Sequence, residues 1–250
     1  MKITFLGTSH GVPARGRNCT SMMIEEGDGI YFIDGGAPLI EEFLKIKEPS
    51  ELAKVRGIFT THAHSDHTFG ILHMASLMDW FYKLPLDIYM TETGVIDAMK
   101  NLYSVSMSDS RGFNPELIRF HLETPDFVYE DENIKLSLIP TAHMADFGRP
   151  SYAILAETAD RRVLFSGDMS HHLSRNDVPS IIGTERLDLF VCEMAHFSLD
   201  ELRPSLDGCL ADRVYFNHIW PDEKFAVIES AKGDFPFEVR TVNDGDVVEL

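Results

Sequence analysis

From Gly57 to Gly70 the chain reads Gly-Ile-Phe-Thr-Thr-His-Ala-His-Ser-Asp-His-Thr-Phe-Gly, and no other stretch restricts its possible folds as strongly. His62, His64, Asp66 and His67 crowd three imidazoles and a carboxylate behind a short apolar run. Such a set is costly unless a cation holds it together. Neutral imidazole nitrogen with a hard carboxylate oxygen suits a borderline divalent ion such as zinc, with manganese or iron also fitting. In an extended or turning segment residues i and i+2 project the same way, so His62 and His64 can grip one ion. Asp66 and His67 are adjacent and diverge, which suits them to a second. Two ions require more donors than these four side chains supply, so further ligands must come from elsewhere in the chain.

Along the remaining sequence short apolar segments alternate with helical patterns, which implies an α/β protein. Ile3 to Thr8, Ser21 to Glu25 and Gly29 to Asp34 form an opening strand series closed by Gly35-Gly36, and Pro38 to Lys47 has a helical period. Val55 to Thr60 is a buried strand feeding the histidine loop, with a helix over Phe69 to Tyr82. Leu86 to Thr91 and Gly94 to Val105 give another strand and helix. Ile118 to Leu122, Ile134 to Thr141, Tyr152 to Glu157 and Arg162 to Ser166 read as consecutive strands. Leu187 to Glu193 and Arg213 to Asn217 then alternate with helical stretches over Leu199 to Cys209 and Asp222 to Lys232. Layered sheets with interspersed helices follow.

Strand ends are where such scaffolds place chemistry. Asp34, His143 after Pro140-Thr141-Ala142, Asp168 after Ser166-Gly167, and His218 after Phe216-Asn217 all fall there. Taken singly, each is an ordinary turn or helix-start residue. Together, in a chain short of ligands, His143, Asp168 and His218 complete the donor set, whereas Asp34 beside Gly35-Gly36 reads as a carboxylate that orients them.

Length and charge narrow the rest. At 250 residues the chain is expected to form one domain spanning 1–250, without repeats or linkers. No apolar run approaches a membrane span, and the start Met1-Lys2-Ile3-Thr4-Phe5-Leu6-Gly7 lacks a signal-peptide core, so the expected location is cytoplasmic and no membrane is involved. Cys19, Cys192 and Cys209, an odd number with no C-x-x-C pair, imply neither a disulfide framework nor a thiolate zinc site and read as free thiols. With 22 basic against 40 acidic residues the formal net charge is −18, which opposes binding of folded RNA. The basic cluster Arg15-Gly16-Arg17 reads as solvated loop arginines.

The ordered series Asp34, His62-x-His64-x-Asp66-His67, His143, Ser166-Gly167-Asp168 and His218 resembles the five motifs of the metallo-β-lactamase superfamily and spans almost the whole chain. The opening Phe5-Leu6-Gly7-Thr8-Ser9-His10-Gly11-Val12-Pro13 with Arg17-Asn18 is similar to the start of its ribonuclease Z-like and cyclic-phosphodiesterase branches. The resemblance implies a four-layer αββα sandwich with two metals between the sheet edges. His62, His64 and His143 would hold one ion and Asp66, His67 and His218 the other, with Asp168 bridging them. A bridging hydroxide would be the nucleophile, and Asp34 would orient the histidine loop from behind. Homodimers, common in that branch, are also implied.

His143 and Asp168 lie only 25 positions apart, and two strands plus a turn fill the interval, leaving no room for the arm with which ribonuclease Z grips transfer RNA. Folded tRNA is therefore a poor candidate partner, and a small-molecule or short phosphodiester a better one. Phe190-Val191-Cys192-Glu193-Met194-Ala195-His196-Phe197 resembles the His-Glu-Ala-Thr loop of ribonuclease Z, with Glu193 at the acidic position. Its downstream His-Ser-Thr loop has no counterpart, since Asp207 to Asn217 contains no histidine. Asp66, Glu193 and His196 form the expected catalytic set, with His196 as general acid oriented by Glu193. His10, His171 and His172 are the alternative proton donors. The expected activity is a dinuclear metal-dependent phosphodiesterase. The alternatives are a lactone, lactam or thioester hydrolase, a tRNA 3'-processing endonuclease, and a non-catalytic metal-binding module. An intact His64 argues against a redox diiron site.

Overall fold

A computed structural model describes residues 1–12, 14–107, 109–170 and 177–250. Two seven-stranded sheets face one another. The first is built from β1 (Lys2–Gly7), β2 (Ser21–Glu26), β3 (Gly29–Ile33), β4 (Val55–Phe59), β5 (Leu86–Met90), β6 (Ile118–Leu122) and, returning from the far end of the sequence, β14 (Val247–Glu249). Its order is β14-β1-β2-β3-β4-β5-β6. The second contains β7 (Val128–Glu130), β8 (Lys135–Pro140), β9 (Tyr152–Glu157), β10 (Arg162–Phe165), β11 (Leu189–Met194), β12 (Arg213–Ile219) and β13 (Glu238–Thr241). Its order is β13-β12-β11-β10-β9-β8-β7. Helices α1 (Leu39–Ile46), α2 (Ser65–Leu77) and α3 (Thr93–Ser106) accompany the first sheet, and α4 (Leu199–Leu206) and α5 (Glu223–Ala231) the second.

Side-chain alternation explains the layering. Successive strand residues face opposite ways, so a strand buried on both faces must be apolar throughout. In β11, Leu189 and Val191 enter the cluster between the sheets, whereas Phe190, Cys192 and Met194 pack toward α4 and α5. In β4, Phe59 faces the second sheet and Ile58 faces the helices of the first. The result is helix, sheet, sheet, helix: the expected αββα sandwich.

Strand direction positions the site. β3, β4, β5 and β6 are mutually parallel. β10, β11 and β12 are parallel, and β8 shares their direction because both β8 and β10 pair antiparallel with β9. The C-terminal ends of Ile33, Phe59, Pro140, Phe165 and Ile219 therefore feed loops toward one rim.

Three strands escaped the sequence pattern: β7, β13 and β14. Each is three or four residues long, lies at a sheet edge and alternates exposed with partly buried or buried positions, so it carries no apolar run. The helix expected from Phe69 starts at Ser65, and its last turn, Met78–Tyr82, widens to π geometry. Asp66 in the first turn favours this early start by complementing the positive end of the helix dipole. Among the described residues no helix is long and apolar enough to cross a membrane.

Candidate metal centre

The loop after β4 and the start of α2 bring the four opening donors together with the three distant ones. His62, His64, His143 and Asp168 form one group, and Asp66, His67 and His218 a second, with donor atoms within 4.8 Å of one another in each group. Asp168 links them by turning one oxygen to each. Its Oδ2 lies 3.7 Å from Nε2 of both His62 and His143, and its Oδ1 lies 3.5 Å from His67 Nε2 and 3.4 Å from His218 Nε2. Asp66 Oδ2 closes the second group at 3.6 Å from His67 and 3.8 Å from His218. Adjacent Asp66 and His67 were expected to diverge; in the first turn of α2 their donor atoms instead converge.

The arrangement passes a test of fit to divalent cations. His64 Nδ1 is 3.0 Å from His62 Nε2 and 3.3 Å from His143 Nε2. A tetrahedron built on bonds of about 2.05 Å has edges of about 3.3 Å, so these nitrogens are spaced as ligands of one ion. Burial, reinforced by neighbouring imidazoles, pushes His62 well below its ordinary pKa and His143 down to about 4, and burial also lowers His64, leaving neutral lone-pair donors. In the second group, His67 Nε2 and Asp168 Oδ1 are buried without a hydrogen-bond partner. Two orphaned polar atoms facing each other are what a cation would satisfy. Burial opposes charge on His67, yet Asp34 and Asp168 outweigh it and lift its pKa well above normal. Asp168 is held well below its range by His218 and His67 despite burial. A divalent ion would take the place of that proton.

Four of the five imidazoles are fixed through their other nitrogen. Nδ1 of His67 meets Asp34 Oδ2 at 2.8 Å, and Nδ1 of His218 meets Thr20 Oγ1 at 2.6 Å. Nδ1 of His62 meets Thr61 Oγ1 at 3.1 Å, and Nδ1 of His143 meets the Met169 carbonyl at 3.2 Å. Such partners set tautomer and ring orientation. Asp34 also accepts from the Thr61 amide at 2.8 Å and from the Thr61 hydroxyl, which pins the loop after β4 to the end of β3. Asp34 (φ 60°) and His218 (φ 52°) both occupy the left-handed region, a backbone cost tolerated where surrounding structure enforces it. Gly167 shares that region at φ 56°, and a Cβ there would lie 2.5 Å from the Tyr152 carbonyl, so the turn presenting Asp168 requires glycine.

Glu193 and His196 sit beside this centre. Glu193 is buried and accepts four hydrogen bonds: from the Met169 amide and His196 Nδ1 on Oε1, and from the Ala195 and His196 amides on Oε2. Although its carboxylate lies within 4.8 Å of ligand-type atoms of Asp168 and His196, these four donors make it an orienter. Burial disfavours the His196 imidazolium, but the Glu193 carboxylate overrides burial and raises its pKa to about 9. Its Nε2 lies 3.8 Å from Asp168 Oδ2.

The other proton-donor candidates are not equivalent. His10 is buried, its Nδ1 accepts from the Val12 amide at 3.0 Å, and burial with the neighbouring His218 and Arg17 lowers its pKa to about 4, so it carries no dissociable proton near neutrality. His171 and His172 lie outside the described residues. Arg17, expected in solvent, is instead largely buried: it donates to the Thr8 carbonyl and hydroxyl and covers the Phe225 ring. The sequence reading also missed Thr20, Thr61 and the Met169 carbonyl, whose residue types carry no metal signal.

A protein-family model described as "Anti-Pycsar protein Apyc1" matches residues 1–235. Among curated relatives, the ribonuclease Z of Synechococcus sp. (strain CC9311) is 30% identical over 184 residues, covering 69% of this chain and 54% of the relative. The chain spans about half the length of the curated relatives it matches. The metallo-β-lactamase fold protein YhfI from Bacillus subtilis superposes with a TM-score of 0.78 at 18% identity, covering 99% of each chain. The short form of human tRNase Z superposes with a TM-score of 0.72 at 18% identity, covering 100% of this chain and 99% of the other. At such identities the two structures are evidence of a shared fold.

Proposed function

The chain belongs to the family described as Anti-Pycsar protein Apyc1, within the ribonuclease Z-like part of the metallo-β-lactamase superfamily, and from that premise we propose that it is a dinuclear metal-dependent phosphodiesterase acting on small or single-stranded phosphodiesters. The observation that carries this reading is Asp168, which offers one oxygen to each of two donor groups while the Glu193–His196 pair stands beside it. His62, His64, His143 and Asp168 would hold one divalent ion, and Asp66, His67, His218 and Asp168 the other. A nitrogen-rich set favours zinc, with manganese or iron also compatible. Bound there, the ions would neutralise phosphate charge and provide a nucleophile from water at neutral pH.

The chain's own residues do the rest. Asp34, Thr20, Thr61 and the Met169 carbonyl hold the imidazoles of His67, His218, His62 and His143 in their donor orientations. Glu193 keeps the proton of His196 on the ring, and His196 transfers it to the departing oxygen. A small or unpaired substrate is favoured over folded tRNA by the net charge of −18 and by the short interval between His143 and Asp168, which the β9–β10 hairpin already occupies in large part. A homodimer, as the family resemblance implies, and a cytoplasmic location are part of the same reading, and sedimentation measures the oligomeric state.

Hydrolysis of bis(p-nitrophenyl) phosphate, cyclic nucleotides and short single-stranded oligonucleotides should be compared with a panel of lactones, lactams and thioesters. Phosphodiester turnover dependent on bound metal is expected. Good lactone or thioester turnover without phosphodiester turnover would replace this reading with the other hydrolase class.

A further inference from the structure

We propose that Lys224 is a positioning residue that fixes His196 against Asp168 and so governs delivery of a proton to the leaving group. Lys224 is the second residue of α5, and its Nζ donates to the main-chain carbonyls of Met194 at 2.9 Å, Ala195 at 3.1 Å and Phe197 at 2.6 Å. An ammonium carries three protons, and all three are directed to the turn that bears His196. Helix stability does not account for this placement, because a cation in the first turn stands at the unfavourable end of the helix dipole. Nor is it a solubilising surface lysine, since the side chain is only partly exposed.

The same turn is gripped from its other side. Glu193 accepts from the amides of Ala195 and His196, so the carboxylate holds the N–H groups of the turn while Lys224 holds its carbonyls. His196 therefore sits on a short irregular segment immediately beyond β11 that is tied at both faces, and its Nε2 is held 3.8 Å from Asp168 Oδ2. Without Lys224 the three carbonyls lose their common anchor and the imidazole loses its fixed base. A displacement of about 1 Å at a reacting group can cost about 100-fold in rate.

This inference rests on the reading of His196 as the proton donor. In that step the oxygen of water bonds to phosphorus as the bond from phosphorus to the leaving oxygen breaks. The leaving oxygen takes the His196 proton, and the proton released by the water passes to solvent and restores the imidazolium. A poor leaving group needs that proton, whereas p-nitrophenolate departs with far less help.

The test compares Lys224→Met and His196→Ala with the unsubstituted protein on methyl aryl phosphates running from p-nitrophenyl to phenyl, with bound metal and melting temperature measured in parallel. Both variants should lose about 10- to 100-fold in kcat on the phenyl ester, a several-fold smaller factor on the p-nitrophenyl ester, and no metal. Lys224→Gln, which keeps two of the donors, should fall between and replaces Lys224→Met if that protein does not fold. If Lys224→Met loses the same factor on every ester, or none, while His196→Ala shows the steep dependence, the positioning role is overturned and the proton-donor reading stands. If His196→Ala shows no leaving-group dependence, both fall, and the failure is traced to His196.

Discussion

Asp34 Oδ2 lies 2.8 Å from Nδ1 of His67, joining the end of β3 to the first turn of α2 beneath the second donor group. An accepting carboxylate keeps the His67 proton on Nδ1 and turns the Nε2 lone pair toward Asp66, His218 and Asp168. Asp34→Asn nearly preserves shape but can present an N–H donor to Nδ1, which drives the proton to Nε2. Metal affinity at the Asp66, His67, His218 group should fall by roughly 10- to 100-fold, with a smaller effect on the His62, His64, His143 group. Competition against a chromophoric chelator measures both affinities, and an unaltered titration would remove Asp34 from this role.

Asp168 is shared by both donor groups, so its loss should be felt at both. Asp168→Ala is expected to carry markedly less bound metal and to abolish phosphodiester hydrolysis. In the unsubstituted protein, a chelator should lower the melting temperature and added zinc restore it, because an ion that binds only the folded state stabilises it by about 2.7 kcal/mol at 100 times its Kd. Elemental analysis together with melting curves checks both statements. Full activity in Asp168→Ala, or melting indifferent to chelator, would contradict the shared-ligand arrangement.

The gathering of the seven candidate donors into two groups was legible in the sequence because metal chemistry restricts residue type. His62, His64, Asp66, His67, His143, Asp168 and His218 are all histidine or aspartate in or beside the C-terminal ends of strands or in the first turn of the helix that follows β4, and their joint order outweighed the bland role each has singly. Apart from Asp34, their supports were not legible, because Thr20 and Thr61 act through single hydroxyls placed by tertiary contact, as the Lys224 ammonium is placed on the His196 turn, and nothing in a threonine or lysine residue announces its partner. Arg17 misled for the related reason that only packing reveals whether a loop arginine meets water or, as here, Thr8 and Phe225. The long buried strands followed from their apolar runs, whereas β7, β13 and β14 are edge strands too short and too exposed to leave one.

His196→Ala separates chemistry from metal binding. Glu193 already uses both oxygens to hold the turn and the ring, so removing the imidazole leaves the donor groups around Asp168 intact. Turnover of a phosphodiester with an alkoxide leaving group should fall about 100-fold or more while metal content stays constant, the scale of lost general-acid catalysis. An unchanged rate would reduce His196 to a structural residue.

Glu123, just beyond β6, supplies a prediction about pH that is independent of the donor groups. It is buried, and neither carboxyl oxygen finds a hydrogen-bond partner of ordinary geometry. Burial first, and then the charge on Asp34, push its pKa well above the usual carboxylate range against a weaker pull from the Thr60 hydroxyl. An acid whose pKa is raised on folding binds more protons in the native than in the unfolded chain, so its contribution to stability is fully present below the unfolded value of about 4.3 and is lost as pH rises through the folded one. Glu123→Gln removes that titration while keeping a neutral side chain of nearly the same shape. The melting temperature of the variant relative to the unsubstituted protein should therefore climb steadily as pH is raised from about 4 toward 8, each unit of the raised pKa traversed being worth about 1.4 kcal/mol. Melting curves at matched ionic strength measure the difference, and a gap that stays constant across this range would mean that Glu123 ionises without penalty in the folded protein.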